Sequence, residues 1–317
     1  MKRKIRIGTR ESQLALWQAN EVKRLLETKG YDTELVLMKS EGDIDLVTPL
    51  YALGVQGVFT KTLDAALLSD RIDIAVHSMK DVPTQLALGI VQTAVLPRAT
   101  FKDILVYKNE STVGKKANDS FPTESNIQDL SFHIATSSIR RKAQWLHRFP
   151  NTTIDNLRGN VNTRLRKVDE SNWDGAIFAA AGLERINLRP ENSIELSWML
   201  PAPAQGAIMV VAREGDDFCM EACAHFNCSN TALCAKIERD FLKTLLGGCS
   251  TPISALAEVN HGLVNFRGNI VMPDGSKKVE VSFTKAVAEA ANLGVEAAEN
   301  ILAGEGKEIV EKVRNAG

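Results

Sequence analysis

Short apolar runs alternate with amphipathic segments over the first two hundred residues of the chain. Strands are predicted where β-branched and apolar residues cluster, and helices where apolar residues recur three or four positions apart. The predicted strands cover 4–7, 33–38, 72–76, 132–135, 152–156 and 174–179. The predicted helices cover 62–69, 139–148 and 161–168, preceded by one that begins after Ser12 and buries Leu14, Trp17, Val22 and Leu25. This alternation predicts helices packed on a mostly parallel sheet.

The pattern changes near residue 200. A proline-marked segment, Pro-Ala-Pro-Ala-Gln-Gly-Ala at 201–207, precedes the apolar run 208–212. Beyond Asp217 two helices are predicted, over 219–226 and 231–245, and an alanine-rich helix closes the chain. Between them lie three strand-like runs, 253–259, 263–271 and 277–284, the last two joined through Asp274-Gly275, which is typical of a hairpin. The C-terminal third therefore predicts a separate α+β unit.

Composition and charge narrow the class of protein. The 317 residues are 44% hydrophobic and 24% charged, which suits two or three globular domains. With 38 basic and 39 acidic residues the formal charge is −1, which argues against a bulk polyanion binder. The sequence has neither an apolar run of the ~18–20 residues that span a bilayer nor a secretory signal, and its five cysteines are too few for a disulfide scaffold. We therefore expect a cytoplasmic protein.

Basic residues concentrate between positions 140 and 166, where Asp155 is the one acidic residue. They are Arg140, Arg141, Lys142, Arg148, Arg158, Arg164 and Arg166. A solvated helix face would explain them, but Arg140 and Arg141 follow a Thr-Ser-Ser turn from strand to helix, where backbone amides also attract anions. Arginine is suited to carboxylates and phosphates, and few aromatic residues accompany the basic ones. The segment therefore favours a small polyanionic ligand over a nucleic acid.

Two further positions are candidates for chemistry. Asp81 stands beside Lys80 after the predicted strand 72–76, the end of a strand where ligands bind in open α/β sheets, although an aspartate before Val-Pro also fits a turn. Cys249 lies in Gly-Gly-Cys, where small neighbours leave a sulfur accessible. By contrast, Cys219, Cys223, Cys228 and Cys234 match no standard metal spacing and are interpreted as buried thiols, with a site completed by His225 as the alternative.

Seven stretches along the chain resemble the porphobilinogen deaminase (hydroxymethylbilane synthase) family in their order and spacing. They are IGTRESQLALWQA, IDIAVHSMKDVP, ATSSIRRKAQ, LRGNVNTRL, AAAGLERI, PAPAQGA and GGCSTPI. The resemblance implies an α/β fold with two periplasmic-binding-protein-like lobes and a small C-terminal α+β domain. The corresponding division is 1–99 with 200–217 for the first lobe, 100–199 for the second and 218–317 for the third domain.

The resemblance also implies the reaction. Enzymes of the family are transferases that join four porphobilinogen units into a linear tetrapyrrole, hydroxymethylbilane, and release ammonia, a step of haem biosynthesis. The chain grows on a dipyrromethane cofactor bound by a thioether to a loop cysteine, whose position Cys249 occupies. A chain of up to six rings brings up to twelve carboxylates into one cleft, which requires dense cationic hydrogen bonding.

The residue roles that the resemblance implies follow its motifs. Asp81 would be catalytic, stabilising the cation that loss of ammonia leaves on the pyrrole. The cofactor would be held by Lys80, Ser137, Ser138, Arg140 and Arg141. The substrate and growing chain would be held by Arg10, Ser12, Phe59, Arg158, Arg164 and Arg185. No metal is expected.

Four positions depart from the usual family pattern. Gln56 replaces a lysine, Glu41 a basic residue, Leu246 a glutamate and Ala135 a glycine. They flank the motifs, so they bear on the charge at the cleft mouth and on turnover rather than on the class of reaction.

Three alternatives remain open from the residues. A non-catalytic two-lobed binding protein for a polycarboxylate would use the same lobes and arginines, but it explains neither Cys249 nor Asp81. A nucleic-acid binder would use segment 140–166, and a metal or redox protein would use the cysteines at 219–234. We expect a monomer that binds neither nucleic acid nor a membrane.

Overall fold

The computed structural model describes residues 3–39, 60–108, 131–245 and 251–315. Several sequence expectations concern residues outside these ranges. They are the site residues Phe59 and Cys249, the departures Glu41, Gln56 and Leu246, and all but the last residue of the polar segment 109–131, for which we expect a loop.

The first lobe is built on a five-stranded sheet that draws on two stretches of chain. Its strands are β1 (Ile5–Arg10), β2 (Thr33–Met38), β3 (Ile74–Ser78), β4 (Ile90–Val95) and β10 (Ile208–Arg213). Its helices are α1 (Gln13–Glu27), α2 (Lys61–Leu68) and α6 (Asp217–Ala224). The strand order is β2-β1-β3-β10-β4, with β10 antiparallel to both of its neighbours.

The second lobe has a five-stranded sheet of its own. Its strands are β5 (Asp103–Tyr107), β6 (His133–Ala135), β7 (Thr153–Asp155), β8 (Gly175–Ala179) and β9 (Ser193–Glu195). Its helices are α3 (Ile139–Arg148), α4 (Val161–Glu170) and α5 (Ala180–Glu184). The strand order is β7-β6-β8-β5-β9, with β5 antiparallel to its neighbours.

The two sheets share one connectivity. The order β2-β1-β3 in the first sheet corresponds to β7-β6-β8 in the second. In both sheets the next strand is the one that the chain forms on arriving from the other lobe. This strand is β10 in the first lobe and β5 in the second, and it is antiparallel to its neighbours. We call the segments through which the chain passes between the lobes the crossings: 96–102 leads into β5 and 200–207 leads into β10. Apolar clusters cover both faces of each sheet, as parallel strands require. The predicted α/β class with two lobes is confirmed.

The C-terminal unit is a three-stranded antiparallel sheet covered by helices. Its strands are β11 (Ile253–Asn260), β12 (Leu263–Val271) and β13 (Lys278–Ala286), and its helices are α7 (Ser229–Leu245), α8 (Leu293–Ala303) and α9 (Gly306–Asn315). Its apolar core contains Phe241 from α7 and Phe266 from β12, whose rings meet edge to face with centroids 5.2 Å apart. The predicted small α+β domain is confirmed.

The C-terminal unit contacts the second lobe along α3. Gln144 donates to the Ser254 hydroxyl at 2.9 Å, and His147 Nδ1 lies 2.8 Å from the carbonyl oxygen of Gly275. Gly275 has a φ of +79°, and a Cβ there would lie 2.4 Å from the backbone nitrogen of His147. Glycine is therefore needed both for the hairpin turn and for this close approach.

One predicted helix face is wrong. On α1 the buried residues are Gln18, Ala19, Val22 and Leu26, so of the predicted set Leu14, Trp17, Val22 and Leu25 only Val22 is buried. The buried face consists of Ala19, Val22 and Leu26 in the apolar core, with Gln18 beside them donating from its side-chain amide to the hydroxyl of Ser78 at 2.8 Å. Trp17 is 38% exposed. Ser12 caps the helix as predicted, accepting the N–H of Ala15.

The limits of the domains stay a prediction. Cys219, Ala222 and Cys223 of α6 pack in the same apolar cluster as Ile5 and Ile7 of β1. We propose on this packing that the first lobe extends to residue 224 rather than ending at 217.

The four cysteines of the described chain lie in surroundings typical of structural thiols. Cys219, Cys223 and Cys234 are buried, Cys228 is partly buried, and burial raises the pKa of Cys223 and of Cys234 to about 11. Within the described ranges no three potential metal ligands form a group. No helix there is long and apolar enough to cross a membrane.

Candidate active site

The predicted site residues follow the carboxyl ends of strands in both lobes. Arg10 is the last residue of β1, and Lys80 and Asp81 lie in a 3₁₀ turn (Met79–Asp81) directly after β3. In the second lobe Ser137 and Ser138 follow β6, and Arg158 follows β7. Parallel strands bring their carboxyl ends to one edge, so each sheet presents its polar residues at a single edge.

Two adjacent arginines in the first turn of α3 are held by one buried carboxylate. Arg140 and Arg141 are 4% and 6% exposed, and each has an Nη2 within 2.8 Å of Asp103, which is fully buried. Arg141 also donates from Nε to Asp103 and from Nη1 to the carbonyl of Ile177. Arg140 donates from Nη1 to the carbonyl of Leu200 at 2.7 Å. Both guanidinium groups are therefore fixed before any ligand binds.

Asp103 is ionised in this environment. Burial would raise the pKa of its carboxyl, but Arg140 and Arg141 and a hydrogen bond from Gln205 lower it to about 2. Asp103 begins β5 and Gln205 lies in the returning crossing, so both chain crossings meet at this carboxylate.

Lys80 of the first lobe lies close enough to these arginines to interact with them, and the neighbouring Asp81 interacts with Lys80. Lys80 is partly exposed, and the loss of solvent around its ammonium group lowers its pKa to about 8. Asp81 and Asp103 act in the opposite direction, whereas Arg141 and Arg140 lower the pKa further. Residues from the two lobes therefore form a single electrostatic cluster.

Arg158 and Arg164 extend that cluster along the second lobe. Burial lowers the pKa of Arg164 to about 10, Arg141 and Arg158 lower it further, and Asp81 raises it. Arg164 lies on α4, and its Nε donates to the carbonyl of Gly159 at 2.7 Å. Arg158 is 4% exposed. We call Lys80, Arg140, Arg141, Arg158 and Arg164 the cation cluster.

The cation cluster has an excess of positive charge. Four of its members, Lys80, Arg140, Arg141 and Arg164, share the two carboxylates of Asp81 and Asp103 in the contacts that the described structure gives. Buried cations in excess of their counter-charges are costly, and the lowered pKa values of Lys80 and Arg164 express that cost. Such a site is suited to a ligand with several carboxylates.

Arg10, Arg185 and Ser12 have other partners in the described structure. Arg10 acts on His77 of β3, where burial and then Arg10 lower the pKa of the imidazole to about 4. Arg185 donates to the carbonyl of Gly206 at 2.8 Å, and its guanidinium lies 5.6 Å from the ring centre of Trp17. Ser12 caps α1. The exposed face of α1 therefore adjoins Arg185.

The two predicted serines have structural partners. The Ser137 hydroxyl accepts the N–H of Leu157 at 2.8 Å, and the Ser138 hydroxyl accepts the N–H of Arg141 as the N-cap of α3. Each hydroxyl still has its own proton to donate. Of the other basic residues in segment 140–166, Arg166 has a side chain that is 68% exposed and pairs with Glu170. A solvated helix face is the correct interpretation for Arg166.

The sequence analysis did not single out Asp103 or Gln205. A carboxylate that opens the apolar run Ile-Leu-Val-Tyr could have been noticed as a buried charge. Its partners, however, are 37 or more positions away, so periodicity could not identify them. Ala135, the departure that the structure does describe, packs in the apolar core of the second lobe.

Comparison with known proteins supplies the identification. Residues 5–221 match the family model "Porphobilinogen deaminase, dipyromethane cofactor binding domain", and residues 232–303 match "Porphobilinogen deaminase, C-terminal domain". The chain belongs to the porphobilinogen deaminase family. The resemblance drawn from its motifs is thereby confirmed, and so is the dipyrromethane cofactor.

Relatives in the family cover nearly the whole chain. Porphobilinogen deaminase of Syntrophotalea carbinolica is 39% identical over 303 residues, covering 94% of this chain and 92% of the relative. The chloroplastic enzyme of Oryza sativa subsp. japonica is 40% identical over 289 residues, covering 88% of this chain and 77% of the relative.

Solved structures give a weaker likeness. An ancestral cationic amino acid solute-binding protein has 12% sequence identity and a TM-score of 0.42, covering 70% of this chain and 87% of its own. The effector-binding domain of BenM has 16% identity and a TM-score of 0.40, covering 67% and 84%. At these TM-scores the likeness supports no conclusion, and the fold class rests on the two sheets described above.

Replacing Asp103 tests whether it holds the two arginines. The change Asp103→Asn keeps the volume but leaves two buried guanidinium groups without their shared negative charge, and breaking such a buried pair costs about 3–5 kcal/mol. We expect the free energy of unfolding in urea to fall by this amount. The control Asp169→Asn removes an exposed carboxylate from the same lobe. Equal stability of the two variants would contradict the assignment.

Proposed function

We propose that the chain performs the family's reaction at the cation cluster. It polymerises porphobilinogen into a linear tetrapyrrole for porphyrin synthesis, as membership of the family indicates. The observation that carries the location is the cation cluster, which draws residues from both lobes. Arg140, Arg141 and Arg158 are each less than a tenth exposed, and the partly exposed Lys80 and Arg164 both interact with Asp81. Porphobilinogen bears an acetate and a propionate, so every added ring brings two anions to this site. A non-catalytic binding protein, the alternative left open by the arginines, is not favoured.

The cation cluster fits the dipyrromethane cofactor. The buried Nε of Arg140 has no hydrogen-bond partner, and loss of solvent lowers the pKa of Lys80 to about 8. Carboxylates would satisfy both groups. Lys80, Arg140 and Arg141 are the residues proposed to hold the cofactor, with the free hydroxyl protons of Ser137 and Ser138 as further donors. When bound, the cofactor supplies the pyrrole carbon to which the first substrate unit is joined.

Arg158 and Arg164 are proposed to hold the carboxylates of the substrate and of the growing chain. Their burial strengthens each hydrogen bond to an anion because the local dielectric is low. Arg10 and Ser12 of the first lobe, and Arg185 beside Trp17, are proposed to bind the same chain. Phe59 keeps its proposed place beside the reacting ring.

Asp81 is the proposed catalytic residue. Loss of ammonia leaves a positive charge on the pyrrole of the substrate, and a fixed carboxylate stabilises that charge more in the transition state than in the ground state. Asp81 interacts electrostatically with Lys80 and Arg164 and forms no ion pair with either in the described structure. Asp81 can also accept a pyrrole N–H while the new bond forms.

Cys249 is the proposed attachment point for the cofactor, through a thioether from its sulfur. The proposal rests on its place in Gly-Gly-Cys, after α7, and on the family's motif. A cytoplasmic location, a monomeric state and the absence of nucleic-acid or membrane partners are proposed on the balanced charge and the apolar pattern of the sequence.

The mass of the purified protein tests the attachment. We expect the native protein to carry the added mass of two condensed pyrrole units and Cys249→Ser to carry none. The control Cys228→Ser changes a partly buried thiol elsewhere and should keep the added mass. A bare polypeptide mass in freshly purified, active protein would contradict the proposal.

Replacing Asp81 tests its catalytic role. Asp81→Asn keeps the shape of the side chain and removes its charge, so we expect kcat to fall by about a hundredfold or more while thermal stability changes little. Formation of hydroxymethylbilane from porphobilinogen gives the rate, and Asp169→Asn serves as the control. A kcat near that of the native protein would show that Asp81 is not required.

Cofactor loading should depend on pH through Lys80. Its pKa of about 8 means that the ammonium is charged below this pH and becomes neutral as the pH rises through it. The attraction for a carboxylate is therefore present at pH 7 and lost by pH 9. Cofactor-free protein incubated with porphobilinogen should gain the cofactor mass more slowly at pH 9, and Lys80→Arg should flatten this dependence. Equal pH profiles for the two proteins would exclude Lys80 as the source.

A further inference from the structure

The backbone of the turn that carries Lys80 and Asp81 makes one hydrogen bond to the second crossing and one within the turn. The N–H of Met79 donates to the carbonyl of Ala207 at 3.0 Å, and the N–H of Val82 closes the turn onto the carbonyl of Met79 at 3.2 Å. A three-residue 3₁₀ turn makes too few internal hydrogen bonds to satisfy its own carbonyl groups. We call residues 79–83 the Asp81 turn.

Arg239 of α7 donates to three carbonyl oxygens of the Asp81 turn. Its Nη1 lies 3.2 Å from the carbonyl oxygen of Met79 and 2.9 Å from that of Val82, and its Nη2 donates to the carbonyl of Pro83. These carbonyls lie on both sides of Lys80 and Asp81 in the sequence. A guanidinium is planar and rigid, so one side chain fixes the relative positions of all three. Arg239 is 9% exposed.

The helix that carries Arg239 is itself fixed to the chain crossings. The neighbouring Glu238 is fully buried and accepts two hydrogen bonds from Arg98, in the first crossing. It also accepts the N–H of Ala204, in the second crossing, and the N–H of Ala257 in β11. Consecutive residues of α7 therefore hold both crossings and the Asp81 turn against one helix.

We infer that Arg239 is a positioning residue for the reaction, which it serves by holding the Asp81 turn in the orientation that presents Asp81 to the cation cluster. This inference rests on the proposed function of Asp81. Arg239 acts through the backbone of the turn and touches no reacting atom. Its loss should therefore lower the rate of the chemical step more than the affinity for substrate, because Asp81 acts on charge that develops in the transition state.

The test compares Arg239→Gln with two matched controls. Lys243→Gln removes a positive charge from an exposed site on the same helix. Ile237→Val removes one methyl group from the core of the C-terminal unit, so it lowers stability without touching the turn. Four quantities are measured on the full chain: the thermal midpoint, kcat and KM for porphobilinogen, and the rate of hydrogen exchange of the Val82 amide.

We expect Arg239→Gln to speed exchange of the Val82 amide and to lower kcat by roughly tenfold to a hundredfold, since a small misplacement of a catalytic group has effects of this size. KM should stay within about twofold of its native value. Arg239→Lys, which keeps the charge and some of the hydrogen bonds, should recover part of both losses. Neither control should change the exchange rate or kcat.

Two results would overturn the inference. One is an unchanged Val82 exchange rate and kcat in Arg239→Gln; the other is a loss of activity that Ile237→Val reproduces at the same thermal midpoint, which would make Arg239 purely structural. If Arg239→Gln does not fold, the comparison is made with Arg239→Lys. Native protein that makes no tetrapyrrole would refute the proposed function instead, and the exchange rates would still show whether Arg239 holds the turn.

Discussion

The burial of Asp103 between Arg140 and Arg141 is the interaction on which the candidate site depends. Two adjacent guanidinium groups, each less than a tenth exposed, could not be kept out of water without a shared counter-charge. Asp103 supplies it at the first residue of β5, where the chain enters the second lobe. The same carboxylate accepts from Gln205, in the segment that returns to the first lobe. The charge that organises the site thus lies where the two lobes are joined.

This arrangement explains how the chain can collect cations without a bound anion. Fixed hydrogen bonds to Asp103 and to the carbonyl groups of Ile177 and Leu200 hold the arginines in place. We propose that the positive charge of these arginines, with that of Lys80 and Arg164, attracts the carboxylates of the ligand. Ordering these side chains in advance lowers the entropy that binding must offset. A polymerase of dicarboxylated pyrroles needs such a site, because each added ring increases the negative charge.

The C-terminal unit contacts the site region from both sides. It meets α3, which carries Arg140 and Arg141, through Ser254 and Gly275. It meets the Asp81 turn and the chain crossings through α7. The C-terminal unit therefore fixes the positions of site residues in both lobes.

Much of this fold could be predicted from the pattern of apolar residues, and some of it could not. Strand 33–38, helix 139–148 and strand 263–271 were predicted at their observed limits. Strand β4 was missed because Gln92 and Thr93 interrupt its apolar run. The face predicted for α1 was wrong because the small Ala19 and the polar Gln18 lie on the buried side with Val22 and Leu26. Arg140 and Arg141 were predicted as ligand-binding residues from their motif. Their internal partner Asp103 depends on tertiary contacts that a single sequence does not display.

The most direct test of the account is the mass of the native protein after it reacts with a limiting amount of porphobilinogen. The account predicts protein species heavier by successive single pyrrole units, which return to the starting mass as the linear tetrapyrrole is released. A protein that binds porphobilinogen without any covalent addition and leaves it unchanged would contradict the account and favour a carboxylate-binding protein.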